Sequence, residues 1–142
     1  MLSNLHKLEG IIDADKKSGT VLIVEDDHIS SLLLHEVLKA HVATLLIATN
    51  GQEAIDTCHK HPEIDMVLMD IRMPVMDGLT ASRKIKTFRK NLPIIAITAC
   101  VQPEFKNRNI DGACDHCISK PINKNKLLAL VKKFTFQNLA VF

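Results

Sequence analysis

Residues 66–78 read MVLMDIRMPVMDG, a short apolar run that ends on an acid, Asp70, followed by a turn-rich segment closed by Pro74, Asp77 and Gly78. Met, Val and Leu on consecutive positions suit a strand buried on both faces, as in a parallel sheet with helices on each side. Asp70 then sits at the carboxyl end of that strand. In open α/β sheets those ends border the crevice where ligands bind, so an acid there is a candidate for chemistry. A capping role in the following turn explains a lone Asp equally well, and the case for Asp70 has to come from the rest of the chain.

On both sides of this stretch, apolar runs alternate with helical patterns, the signature of βαβ units and a parallel sheet. Upstream, residues 20–24 predict the first strand and 28–39 a helix whose inner face carries Leu32, Leu33, Val37 and Leu38. A second run, 43–48, leads into Thr49-Asn50-Gly51, where Asn50 and Glu53 have the form of a capping box. That helix is expected to reach about Lys60, where His61-Pro62 stops it. The central strand is expected at 64–69 and a third helix at 78–88. Downstream, residues 93–98 predict a fourth strand, and Pro103 suits the start of a helix over 102–109 that Asp111-Gly112 ends. Residues 117–119 make a short last strand, and Leu127, Leu128, Leu130 and Val131 mark the inner face of a helix over 124–133. Five strand–helix units with right-handed connections give an α/β fold: one doubly wound, five-stranded parallel sheet with five helices on both faces. Residues 20–134 form that domain. Residues 1–19 precede it as an extension with Leu2, Leu5, Leu8, Ile11 and Ile12 at helical spacing, and 135–142 follow as an apolar tail.

A chain of 142 residues, 46% hydrophobic and 24% charged, fits one globular domain with a core that needs no staples. The formal charge of +2 is too small for a nucleic-acid footprint. No apolar run is long enough to span a membrane and no secretory signal opens the sequence, so a cytoplasmic location is expected. The four cysteines lack the spacing of a disulfide framework. Cys114-Asp115-His116-Cys117 has the outline of a CxxC pair, but a structural zinc site needs four ligands and a second pair is missing.

Polar residues fall at the carboxyl ends of the expected strands: Glu25 and Asp26 after the first, Asp70 after the third, Thr98 after the fourth and Lys120 after the fifth. A parallel sheet brings all of these ends to one edge. Three carboxylates there repel and raise one another's pKa, a conflict that a divalent cation resolves. With so few carboxylates the expected ion is Mg²⁺, which keeps several waters and completes its shell with phosphate oxygens. Asp70 can then act as a nucleophile on phosphorus, with the Lys120 ammonium and the Thr98 hydroxyl taking up charge on the phosphoryl oxygens.

With these residues in place, the chain resembles the receiver domains of response regulators, the phosphoacceptor modules of two-component signalling. VLIVEDD, MVLMDIRMPVMDG, PIIAITA and ISKPI carry the resemblance, in that order, over about residues 20–134. It implies a flavodoxin-like sheet of order 2-1-3-4-5, for which a chemotaxis receiver is a known example. It further implies Asp70 as phosphoacceptor and Glu25, Asp26 and Asp70 as Mg²⁺ ligands, joined by the backbone carbonyl of Arg72. Thr98 corresponds to the switch hydroxyl, Lys120 to the phosphoryl-contacting lysine and Lys120-Pro121 to a cis peptide. The implied protein is not an enzyme in its own right, since it catalyses only its own phosphorylation and dephosphorylation. Its implied partners are a histidine kinase or histidine phosphotransfer protein upstream and a protein effector downstream.

One position departs from the family. Where an aromatic residue commonly precedes the lysine by three positions, this chain has Cys117, and a thiol cannot swing as a ring does. The signal is expected to pass instead through the loop of residues 98–100 and the helix after it. Two other readings use the same residues. A haloacid-dehalogenase-type phosphatase also phosphorylates an aspartate, but it needs an acid two residues later, where Arg72 stands. A receiver-like module could also bind partners without phosphate. The wording RMPVMDGLTASRKIK and CISKPI resembles the receiver modules of hybrid sensor kinases more than stand-alone regulators. The apolar tail is expected to pack on the domain itself, with a partner or a second copy, and hence a homodimer, as the alternative.

Overall fold

The computed structural model describes residues 17–99 and 112–137. Five strands, β1 (Thr20–Val24), β2 (Thr44–Ala48), β3 (Met66–Asp70), β4 (Ile94–Thr98) and β5 (His116–Ser119), form one sheet in the order β2-β1-β3-β4-β5, and every pair is parallel. Between and after them run α1 (His28–Leu38), α2 (Gly51–Lys60), α3 (Gly78–Phe88) and α4 (Lys124–Gln137). The helix expected at 102–109 lies outside the described residues.

The three inner strands are buried along their whole length, and their alternation sorts the side chains into two cores. Leu22, Val24, Val67, Met69, Ile94 and Ala96 face Ala54, Ile55 and Cys58 of α2 and Ala81 and Ile85 of α3. Val21, Ile23, Met66, Leu68, Ile95 and Ile97 face Leu34 and Leu38 of α1 and Leu127 and Val131 of α4. Burying one such side chain contributes about 1.5–3 kcal/mol, so the two cores together outweigh the helix caps.

The caps are local. Asp27, Asn50, Asp77 and Asn123 accept from the amides of Ser30, Glu53, Thr80 and Lys126 at 2.8–3.0 Å. Only half of the expected box at Asn50 forms, because the Glu53 carboxylate takes the Thr49 hydroxyl instead, at 2.8 Å.

At the amino end of the sheet, two cations tie loops to strands. The Arg89 guanidinium donates to the carbonyls of His61, Pro62 and Ile64. Lys86 donates to the Leu92 carbonyl at 2.6 Å and to Asp115 at 2.8 Å, while the same Asp115 oxygen accepts from the Ile94 amide. With that end closed, the carboxyl end is left for the site.

Beyond one-residue shifts at element ends, the structure departs from the expected layout at three places. The inner face of α1 is Ser31, Leu34 and Leu38; Leu32 and Leu33 are 50% and 63% exposed, beside Ile29. In HISSLLLHEVL apolar residues occupy both faces, so periodicity could not choose between them. β3 begins at Met66 rather than 64, because the Asp65 side chain turns to accept the Thr20 amide at 2.8 Å. α4 continues to Gln137, past the expected Lys133, with Thr135 buried beside Gly19.

Candidate acid site at the carboxyl edge of the sheet

Each expected site residue is placed by its strand. Glu25 and Asp26 follow β1 directly, and Asp70 is the last residue of β3, paired with Ile97 of β4. Thr98, one position further along β4, pairs with Ser119, and Lys120 follows at once, its amide donating to the Thr98 carbonyl at 2.8 Å. The peptide between Lys120 and Pro121 is cis, as the resemblance implied.

The acids converge. Glu25, Asp26 and Asp70 each offer an oxygen within 4.8 Å of the others, the one group of His, Cys, Asp and Glu with metal-ligand spacing among the described residues. Glu25 and Asp70 are buried and Asp26 is exposed, so the cluster opens to solvent on one side. Lys120 places its ammonium 3.5 Å from Glu25 and 3.9 Å from Asp70. Burial, and after it the neighbouring Asp70 carboxyl, push Glu25 up from 4.5 to about 7, against the Asp27 amide and Lys120, which pull it down. A buried acid half-protonated near neutrality is under-compensated, and a small set of hard oxygen donors around it fits Mg²⁺.

Backbone groups fix Asp70. Its Oδ1 accepts from the Arg72 amide at 3.3 Å, and the Ile71 amide donates to the Ile97 carbonyl at 3.1 Å. The Gly78 amide closes the loop on the Ile71 carbonyl at 2.9 Å. A Cβ on Gly78 would overlap the carbonyl oxygen of Asp70, so the close approach needs a residue without a side chain. The Arg72 side chain is exposed, and no acid stands where a haloacid-dehalogenase-type general acid would be needed.

Cys117 sits on β5 opposite Ala96 and packs toward the α2 and α3 core. Cys114 is buried with its thiol 3.7 Å from the Ser82 hydroxyl, and burial pushes it up to about 11, which suits a packing residue rather than a zinc ligand or redox thiol. Residues 99–111 include the loop expected to relay the signal, and beyond residue 99 they lie outside the described residues. Sequence reading missed the Val75 turn, for which valine gives no signal, and the contact of Met76 with Gly51, which joins two distant segments.

Comparison with known proteins agrees with this geometry. The model of the response regulator receiver domain family matches residues 21–132. Hybrid signal transduction histidine kinase M of Dictyostelium discoideum is 37% identical over 122 residues, 82% of this chain, and the chain spans 5% of that protein's length. Among solved structures, the receiver domain of Saccharomyces cerevisiae Ssk1 in its co-crystal with the histidine phosphotransfer protein Ypd1 superposes with a TM-score of 0.75 at 28% identity. It covers 86% of this chain and 94% of its own. The CheX-CheY-BeF3-Mg²⁺ complex of Borrelia burgdorferi matches with a TM-score of 0.75 at 31% identity, covering 81% and 87%. No described helix is long and apolar enough to cross a membrane. A parallel sheet of order 2-1-3-4-5, a three-acid cluster with a lysine at its carboxyl edge and a family match over most of the sequence lead to one assignment: the chain belongs to the response regulator receiver domain family.

Proposed function

We propose that Asp70 is the phosphoacceptor of this two-component receiver, and that Glu25, Asp26, Asp70 and the Arg72 carbonyl hold the Mg²⁺ it needs. The observation that carries the reading is the convergence of three carboxylates within 4.8 Å, two of them buried, with Lys120 alongside. An Asp70 oxygen attacks the phosphorus of a phosphohistidine, the P–N bond breaks, and its electron pair leaves on the imidazole, which takes a proton from solvent. Mg²⁺, when bound, neutralises negative charge on the phosphoryl oxygens. Lys120 supplies a second positive charge, and the Thr98 hydroxyl, on the neighbouring strand, donates to a phosphoryl oxygen and signals that it has arrived.

A small phosphodonor can reach such an acid unaided, whereas a protein donor has to press against the rim. Ile29, Leu32 and Leu33 of α1 give that rim exposed apolar surface, which supports transfer from a kinase or phosphotransfer protein. Intact-mass spectrometry after incubation with acetyl phosphate tests the assignment. The expected result is one Mg²⁺-dependent phosphoryl adduct, absent from Asp70→Asn. An adduct that persists in the variant would move the acceptor elsewhere. No adduct in the wild type, together with no binding of beryllofluoride, would favour a module that interacts without phosphate.

A further inference from the structure

The loop that links Asp70 to α3 has one strained residue. Val75 has φ of 70°, in the left-handed region, and its side chain is fully exposed. The Met76 amide donates to the Pro74 carbonyl at 2.8 Å, closing a three-residue γ-turn of the rarer sense around Val75. A β-branched residue is poorly suited to that conformation, and an exposed side chain does nothing to hold it. Something else in the loop must do so.

The turn points Met76 inward, onto the α2 and α3 core and onto Gly51, the first residue of α2. A Cβ on Gly51 would stand 2.9 Å from Met76 Cγ and 3.0 Å from both its Sδ and its carbonyl oxygen. A methyl at position 51 would therefore crowd the main chain of the loop as well as the Met76 side chain, and the loop would have to give way to admit it. The loop is pinned at Ile71 by β4, at Gly78 by its own amide, and at Met76 by Gly51. Arg72 lies between the pins at Ile71 and Met76, with its amide on Asp70.

We infer that Gly51 and Met76 are positioning residues for the acid site: their contact holds the strained turn and so sets where the Arg72 peptide lies against Asp70. This rests on the metal reading above, because the property the contact serves is affinity for a divalent cation. Outer residues that orient ligands typically change metal affinity about 10-fold or more when replaced, and that is the effect expected here.

The test compares the wild type with Gly51→Ala, Met76→Ala, their double variant and Gly112→Ala. Gly112 is the control, since its φ of 73° makes alanine strained while nothing lies within 4 Å of the added methyl. Mg²⁺ affinity is read by calorimetric titration, the amide shifts of Ile71 and Arg72 by NMR in EDTA, and folding by thermal melts. Gly51→Ala and Met76→Ala should each weaken Mg²⁺ about 10-fold and move both amides, and the double variant should be no worse than the weaker single one. Gly112→Ala should lower the melting temperature and leave affinity and both amides unchanged. Unmoved amides and wild-type affinity in folded Gly51→Ala would overturn the positioning role while leaving the metal site intact. A wild type that binds no Mg²⁺ would overturn the metal reading, and the positioning role with it.

Discussion

Replacing Asp70 by Asn should make the metal-free fold more stable, and the structure gives both the size and the pH dependence. One Asp70 oxygen shares a 4.8 Å group with Glu25 and Asp26, and Lys120 lies 3.9 Å away. At an effective dielectric of about 20, each like pair at that separation repels by about 3.5 kcal/mol and the lysine attracts by about 4 kcal/mol. Lys120 thus offsets roughly one of the two repulsions, and solvent around exposed Asp26 screens the other to about 1 kcal/mol. In EDTA near pH 8, Asp70→Asn should therefore raise the unfolding free energy by about 1 kcal/mol. Below the Glu25 value of about 7, Glu25 is neutral and its repulsion is gone while the lysine attraction stays, so the gain disappears or reverses. Excess Mg²⁺ should also reverse the order, because binding stabilises the wild type by mass action. Urea titrations followed by far-UV circular dichroism suit a chain without Trp or Tyr. An equal or lower midpoint for the variant in EDTA near pH 8 would refute the convergence of the three acids.

Glu25→Gln reads the same site from its buried side. Glu25 is raised from 4.5 to about 7, so the folded protein keeps a proton that the unfolded chain has lost, and metal-free stability should fall as pH rises through that window. The variant should flatten this fall by about 2 kcal/mol, less than the full shift because water reaches the cleft through Asp26; equal pH slopes in paired urea titrations would disprove it. Val75→Gly should stabilise the fold by about 1 kcal/mol by relieving the left-handed valine, read as a rise in melting temperature. A lower melting temperature would mean the valine side chain holds the loop after all. Asp115→Ala strips a partner from both Lys86 and the Ile94 amide and should cost about 2 kcal/mol in denaturant; a loss below half of that would show water replacing the carboxylate.

The fold was legible wherever burial was two-sided. VLIV, MVLM and IIAIT leave no polar face, and strands of that kind fit only the middle of a parallel sheet, so the order of elements and the meeting of Asp70 with Glu25 and Asp26 followed. The reading failed where one residue type served two surroundings. Leu32 and Leu33 look like core beside Leu34, and only the direction of α1 over the sheet shows that they face outward. The apolar character of Phe136 suggested a tail, yet α4 continues through it because Val131 and Thr135 extend its inner face. At the site, side chains announced themselves by their type, whereas the parts that hold them did not. Gly51 reads as the residue after a cap, and Met76 as one methionine among five, until the chain is folded and the two meet.

The all-parallel sheet also dictates how the chain has to fold. No two neighbouring strands can close as a hairpin, since each parallel pair encloses a crossover of a dozen residues or more. β1 pairs with both β2 and β3, so the half of the sheet built on β1 requires everything from Thr20 to Asp70. Such pairings bring a large loop-closure entropy before any contact rewards it, which makes folding slow for a domain of this size. Until β4 docks, β3 (Met66–Asp70) presents an apolar edge unpaired, the condition under which strands join the wrong chain. The stretch that ends in Asp70 is for that reason also the stretch most exposed to misassembly while the molecule is half made.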